Sequence, residues 1–433
     1  MEIENQIEKN EKTRYNEKMP KSIKRQKIAP AAFFDKARAR SAFSILAIVL
    51  SALFEPLLFS CQSAKKEAPQ NLRLLFAGDI MAHTQNFNMA DYSLIWNDIR
   101  EQVSEADFSF ANLEAPVFAD RPFESYPTFN MQPSYPAAAF DAGFNLISLA
   151  NNHTNDQGSP GIKATNEWSK EVEMKPQNRV QKQSAKSKDT PRARPVFFSG
   201  LTENGQFSLS EFYWNEYKIL FVAVTELLNT WKNYDEINFV SPTKKGRAAF
   251  AKQVADWKEE RSPDLFIVSV HTSEEEYVLT VRPEVQAFYH ALLDAGADIV
   301  VSNHPHVVRP IEFIAEKDSK KIRKVIMYAN GNTISGQRRS LNYDDPNEIW
   351  NYTGDGQIVE LEMALDENGF FALNCKTTFI TAYTPQGERS PVIKRLDENF
   401  IHSLRENGEK KDSDYFEARL NALKKIKEIW TWR

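Results

Sequence analysis

An α/β architecture, a layered sandwich of two sheets flanked by helices, is what this 433-residue chain predicts, on three observations. Short apolar runs recur between helical stretches: "LRLLFAGD", "ADFSFANLE", "FNLISLANNH", "PDLFIVSVH" and "ADIVVSNH". Runs apolar on both faces and bounded by Gly, Asn or Asp are the pattern of buried strands covered by helices. One phrase also appears twice, as "DAGFNLISLANNH" (141–153) and "DAGADIVVSNHPH" (294–306). Both copies read as helix end, glycine stop, strand, then Asn-His, so two α–β units deliver polar residues to one sheet edge. Further strand-like runs, "RPVFFSGL", "FSLSEFYW" and "YKILFVAVTEL", supply the second sheet.

Taken in chain order, the N-terminus reads as an export signal. Basic stretches ("KSIKRQK", "KARAR") precede the apolar run Ser41–Phe54, and "LLFSC" ends at Cys61. The run is short for a bilayer span and suits the h-region of a signal peptide. Leu58-Phe59-Ser60-Cys61 resembles a lipobox, in which the cysteine is lipidated and becomes the mature N-terminus. Residues 1–61 are therefore expected to be a leader, with Met1 or Met19 as its start, and 62–71 a linker. The protein is expected to be exported and membrane-anchored through lipid on Cys61. Of the two cysteines only Cys375 then remains, so no intrachain disulfide is available.

The main domain is placed at 72–381. Within it, Pro283 opens a helix whose Val285, Phe288, Tyr289 and Leu292 follow the i, i+3, i+4, i+7 spacing, and Gly296 terminates it. Residues 170–194 hold eight Lys/Arg and three Asp/Glu and read as a solvated loop. Residues 382–433 read as a charged, helical extension that packs on the core or meets a partner.

Composition narrows the function classes. Apolar residues make up 42% of the chain, enough for a substantial core. Residues 1–61 carry 11 Lys/Arg against 7 Asp/Glu, leaving the rest at a formal charge of -9. An acidic body of this kind is not a nucleic-acid binder in the general sense, and none is expected as partner.

The chemistry sits where the strands end. The five runs close on Asp79, Glu114, Asn152-His153, His271 and His304-x-His306. In open α/β sheets, sites form beyond the carboxyl ends of strands, where loops converge. A carboxylate, amide and imidazole set of this kind suits Zn, Mn or Fe rather than a thiolate site. Pro305 is expected to push His304 towards an extended backbone, aiming His304 and His306 to the same side. His290 and His402, on helical and charged stretches, read as ordinary polar residues.

The segments "FAGDIM", "ANLEAPV", "LANNHTNDQG", "VSVH", "GADIVVSNHPHVVRPIE" and "YANGNTISGQ" together resemble the capsule-biosynthesis family of the CapA type (poly-γ-glutamate synthesis proteins). That family's fold is similar to the calcineurin-like metallophosphoesterases, and the resemblance spans Leu72 to about Gln337. It implies two divalent ions. Asp79 would bind the first and Glu114 would bridge both. Asn152, His271 and His304 would hold the second, and His306 would return to the first. His153 would act as the catalytic group that protonates a leaving group or stabilises charge, with Asp156 orienting it.

The chain departs from the pattern in places. Asp79-Ile80-Met81 stands where phosphoesterases have Asp-x-His, with His83 nearby in a different register. "HTSEEEY" replaces His-Trp-Gly-x-Glu-Tyr, so Glu275 or Glu276 is the counterpart of the family's Glu, or the acids form a solvated cluster. Arg309 stands where glutamine is common and is expected either to bind a carboxylate or phosphate of the substrate or to form a surface ion pair. "YANGN" reads as a structural turn. The function expected is synthesis or processing of an anionic envelope polymer through a hydrolase-like site, with a membrane synthase as possible partner. The alternatives are a non-catalytic subunit that binds polymer or synthase, and a phosphodiesterase or phosphatase unrelated to capsules.

Overall fold

The computed structural model describes residues 71–174 and 194–432. The expected leader with Cys61, the linker as far as residue 70 and the polar stretch 175–193 lie outside the described residues.

Among the described residues, each strand-like run named above contains a strand. The first half contains β1 (Leu72–Ile80), α1 (Thr84–Phe87), α2 (Arg100–Glu105), β2 (Phe108–Leu113), α3 (Ser134–Ala142), β3 (Leu146–Ser148), α4 (Gly158–Met174) and β4 (Phe197–Ser199). A small hairpin, β5 (Thr202–Glu203) and β6 (Gln206–Phe207), leads into β7 (Ser210–Trp214) and β8 (Tyr217–Thr225). Then come α5 (Lys244–Arg261), β9 (Leu265–His271), α6 (Pro283–Asp294), β10 (Ile299–Asn303), β11 (Ile311–Ala315), β12 (Ile322–Met327) and β13 (Asn332–Ile334). After α7 (Ile349–Tyr352) a long hairpin of β14 (Asp355–Asp366) and β15 (Gly369–Tyr383) follows. The chain closes with β16 (Val392–Arg395), α8 (Glu398–Glu406), α9 (Lys410–Glu428) and β17 (Thr431–Trp432).

Two parallel blocks, β4-β3-β2-β1 and β12-β10-β9-β8, are joined by the β14–β15 hairpin into one hydrogen-bonded path. The two expected sheets are thus halves of a continuous 15-stranded ladder. The 15-residue β15 makes this possible, pairing along β14 and touching β12 at Ala372 opposite Ile322. Between the halves lies an apolar layer that includes Leu74, Phe76, Phe110, Phe221, Ile267 and Val301. Its rings meet across the interior, Phe108 with Phe212 at 4.6 Å and Phe110 with Phe221 at 6.0 Å between centroids.

Helices cover the outer faces, which explains why the strands are apolar on both sides. Tyr135 and Ala139 of α3 and Ile162 of α4 pack with Ile80 and Ile147. On the other face, Phe250, Val254 and Trp257 of α5 and Val285, Phe288, Tyr289 and Leu292 of α6 cover β8, β9 and β10. The spacing read for α6 is the buried face observed, and Gly296 at φ +110° supplies the left-handed stop. Lys170–Met174, read as the start of a solvated loop, are instead the last turn of α4, because Val172 continues its buried stripe.

The segment after Ala382 joins the same body. β16 pairs with β15, β17 pairs with β11, and α8 and α9 bury Ile401, Leu404, Phe416 and Leu423 against Val308 and Tyr383. Arg419 of α9 is fully buried and its guanidinium meets Asp355 Oδ2 at 2.8 Å. Among the described residues, no helix is long and apolar enough to cross a membrane.

Candidate metal centre

Strand register brings the expected ligands to one edge. Asp79 lies opposite Asn112 of β2 and Asn332 of β13, and His271 lies opposite Asn303 of β10. Glu114 follows the last residue of β2, His304 the last of β10, and Asn152-His153 sit in the turn after β3. All of these side chains are buried.

Two sets of ligand atoms form there: Glu114 with His304 and His306, and Asp79 with Glu114 and His271. Within each set the atoms lie within 4.8 Å of one another, and Glu114 belongs to both. Glu114 Oε1 is 3.5 Å from His306 Nε2 and 3.9 Å from His271 Nε2. His271 Nε2 is also 2.9 Å from Asn152 Oδ1. The structure therefore gathers Asp79, Glu114, Asn152, His271, His304 and His306 in one place.

Electrostatics follow from burial. Desolvation, and then Asp79, raise the Glu114 pKa well above the carboxylate range. Desolvation, and then the neighbouring imidazoles, hold His271 and His304 well below the usual histidine value. At His306 burial opposes the cation, but the hydrogen bond and charge of Asp79 outweigh it and the pKa is raised. Its Nδ1 lies 3.0 Å from Asn332 Oδ1 and 3.2 Å from Asp79 Oδ2. Two acceptors there assign the proton to Nδ1 and leave the Nε2 lone pair on the Glu114 side.

These residues fit a divalent cation. Among the described residues, Glu114 Oε1 and His304 Nδ1 are buried without a hydrogen-bond partner. Orphaned lone pairs on a sealed carboxylate and imidazole are costly unless a cation takes them. A cation would also favour the ionised Glu114 that burial disfavours.

His153 stands beside this set on its own support. Its Nδ1 is 2.7 Å from Asp156 Oδ2, which also accepts the Phe129 N–H at 2.7 Å. The edge-on Phe129 ring, 4.7 Å between centroids, fixes the imidazole plane. With Nδ1–H directed to the carboxylate, Nε2 is the atom left to exchange a proton.

Residues 73–337, more than half of the chain, match the model of the family described as bacterial capsule synthesis protein PGA_cap. The chain belongs to this family. It is 22% identical over 348 residues to the capsule biosynthesis protein CapA of Bacillus anthracis, covering 78% of this chain and 74% of that one. A hypothetical protein from Thermus thermophilus is similar in structure at a TM-score of 0.38 and 17% identity, over 71% of this chain and 98% of that one. The calcineurin-like phosphoesterase YfkN of Bacillus subtilis is similar at a TM-score of 0.38 and 10% identity, over 81% and 100% of the two chains. Every residue of the PGA_cap chain's ligand sets lies within the matched span.

Several expectations change in this PGA_cap structure. His304 is not extended: its φ is +100° and that of His306 is +56°. The imidazoles converge through a left-handed turn rather than through i, i+2 alternation, a backbone uncommon for non-glycine residues. The turn is held from outside by the Tyr277 N–H, which donates to the Pro305 carbonyl at 2.9 Å. Met81, which stands in place of the histidine of Asp-x-His, is part of the apolar cluster. His83 does not replace it. Its Nδ1 accepts the Gly336 N–H at 3.1 Å, and burial, then His306 and His153, lower its pKa to about 3.

Arg309 is sealed from solvent, so neither a substrate contact nor a surface ion pair describes it. Its guanidinium binds Glu274, and Nε donates to the Val278 carbonyl at 2.8 Å. Of the acids in "SEEEY", Glu274 is thus structural, Glu275 is exposed, and Glu276 bears electrostatically on Glu114 and His306. His290 meets Glu312 at 3.1 Å and exposed His402 meets Glu406 at 3.2 Å, both away from the centre.

Three asparagines of the site escaped the sequence reading. Asn112 Nδ2 donates to Asp79 Oδ1 at 2.8 Å and to Glu114 Oε2 at 3.2 Å. Its position two before Glu114 in a strand was the signal for it. Asn332, read as part of a structural turn, holds His306 and is itself fixed by donating to Gln337 Oε1 and the Thr353 carbonyl, each at 2.8 Å. Asn229 accepts from Asn152 Nδ2 at 3.2 Å and lies 3.1 Å from His153 Nδ1, and no linear pattern marks it.

Proposed function

We propose that this PGA_cap protein is an exported, lipid-anchored hydrolase or transferase that uses divalent ions to act on an anionic polymer of the cell envelope. The observation that carries the reading is Glu114, common to two ligand sets beside the His153–Asp156 pair. Two ions, of Mn, Zn or Fe, would be held by Asp79, Glu114, His271, His304 and His306, with Asn152 adding an amide oxygen. Ions bound there would polarise a phosphoryl or acyl oxygen and make water nucleophilic at neutral pH. His153, protonated on both ring nitrogens with its Nδ1–H on Asp156, would give its Nε2 proton to the departing group, with Asn229 beside the ring. Family membership and the likeness to the capsule biosynthesis protein CapA support an envelope polymer, including the poly-γ-glutamate type, as the substrate class.

The test is elemental analysis of the purified protein alongside hydrolysis of phosphodiester and γ-glutamyl substrates. Bound metal with activity lost in His153→Ala and Asp79→Ala supports the reading; a metal-free protein whose biological role survives His304→Ala defeats it. Buried Met81 favours one other reading, a polymer- or synthase-binding subunit whose first ion position is weak. Partner capture retained in His304→Ala would select it. Lipidation is tested by fatty-acid labelling of cells, which Cys61→Ala should abolish.

A further inference from the structure

The helix α9 lies beyond the span matched by the family, yet it reaches back to the support of a metal-type histidine. Tyr415 and Arg419 stand one turn apart on α9 and so share a face. The Tyr415 hydroxyl donates to Asn351 Oδ1 at 2.8 Å, and the Arg419 guanidinium lies 3.7 Å over the Tyr352 ring. Arg419 Nη1 donates to the Pro346 carbonyl at 3.0 Å and to Asn347 Oδ1 at 3.2 Å. One helix face thus grips the segment that leads into β14.

A buried carboxylate completes the grip. Asp355 accepts Arg419 Nε on Oδ2 at 2.8 Å. On Oδ1 it accepts Arg338 Nη1 at 3.0 Å and the Thr381 hydroxyl at 2.8 Å. The side chains of Asp355 and Arg419 are fully buried, and that of Arg338 is 3% exposed. A Cβ at Gly354 would collide with the Arg338 guanidinium, so the bridge needs glycine there. Burying three charged groups is a costly way to seat a helix that apolar side chains would hold.

What the bridge holds is the turn 351–355, pinned at both ends. Asn351 is fixed by Tyr415 and by Arg338 Nη1, which donates to its carbonyl at 3.3 Å, and Asp355 is fixed by the two guanidiniums. Midway between them, the Thr353 carbonyl accepts Asn332 Nδ2 at 2.8 Å. Asn332 Oδ1 in turn meets His306 Nδ1 at 3.0 Å. An unbroken line of hydrogen bonds and one short turn therefore joins α9 to His306.

We propose that Arg338, Asp355, Tyr415 and Arg419 are positioning residues for His306: they fix the Thr353 carbonyl, which holds the Asn332 amide and so the imidazole. The inference rests on the metal-centre reading and gives the C-terminal extension a part in that centre.

The full chain is titrated with Mn²⁺ by calorimetry. In metal-stripped, histidine-labelled protein, NMR follows the His306 ring signals, identified by their loss in His306→Gln. Arg419→Met leaves Asp355 balanced by Arg338; it should weaken Mn²⁺ binding about tenfold and move the His306 signals. Tyr415→Phe, which removes a hydroxyl and no charge, should do both to a smaller extent, and it carries the test if Arg419→Met does not fold. Leu423→Ala, buried on the same helix but outside the bridge, should lower stability and leave Mn²⁺ affinity and the His306 signals parental. In an Asn332→Ala background, itself about 10–100-fold weaker, Arg419→Met should add no further loss. Parental affinity or unmoved His306 signals in the bridge variants, an equal loss in Leu423→Ala, or full additivity with Asn332→Ala overturns the inference. A parent protein that binds no Mn²⁺, but whose His306 signals move in Arg419→Met, would sink the metal reading and leave the positioning role standing.

Discussion

Removing the Glu114 carboxylate takes an oxygen from both ligand sets at once, whereas Asp79, His271 and His304 each serve one set. Glu114→Ala is therefore expected to lower bound metal further than any of those single replacements, as elemental analysis of the purified variants would read. His153→Ala should leave the metal in place and reduce turnover by about 10²–10⁴-fold, the range for a lost general acid. Asp156→Ala should cost about 10–100-fold, because it removes a support of His153 and leaves the imidazole itself in place. Equal losses in the two variants would mean that Asp156 does more than orient. Cys375 offers a control of a different kind. Burial pushes its thiol up to about 12, so the folded protein holds almost no thiolate at pH 8. Alkylation followed by mass spectrometry should find Cys375 unlabelled in the native protein at that pH, and labelled after denaturation.

At the scale of elements, the loop between β9 and α6 is fastened by the buried Glu274–Arg309 pair, with Arg282 N–H also donating to Glu274 Oε1 at 2.7 Å. Taking one partner away leaves the other charged and buried, which costs about 3–5 kcal/mol. Arg309→Ala should lose stability on that order in urea unfolding. The Arg309→Ala, Glu274→Ala double variant should recover part of it; no recovery would mean the pair is not the cause. The same loop shows how legibility fails. Arg309, where glutamine is common in the family, reads from the sequence either as a substrate contact or as a surface ion pair. Linear spacing does not reveal that Glu274, on a different loop, turns inward to meet it. The helix α6, by contrast, was readable to its glycine stop, because a helix spanning one apolar layer writes its own period into the sequence.

For the whole molecule, the family match ends at residue 337, yet β1 takes β14 as its antiparallel neighbour over Leu72–Phe76. A fragment 71–337 would expose that edge of β1 and uncover Val308, which α8 and α9 help to bury. It should fail to give a cooperative urea transition, while 71–433 should unfold in one step. A sharp transition from the short fragment would show the matched region to be self-sufficient. The α/β class, the strands and the identity of the metal-type residues were determined by the sequence alone. Strand hydrophobicity and the residue that closes each strand are local properties, and parallel register then carries the ends to one edge. The resemblance already implied that Glu114 is shared, and only the tertiary structure decided that Asn112, Asn229 and Asn332 support the two sets and that Arg309 is a strut. It also decided that His304 and His306 meet through left-handed backbone. These are matters of contact between distant segments, and they depend on how a 15-stranded ladder folds over on itself, which no local run of residues encodes.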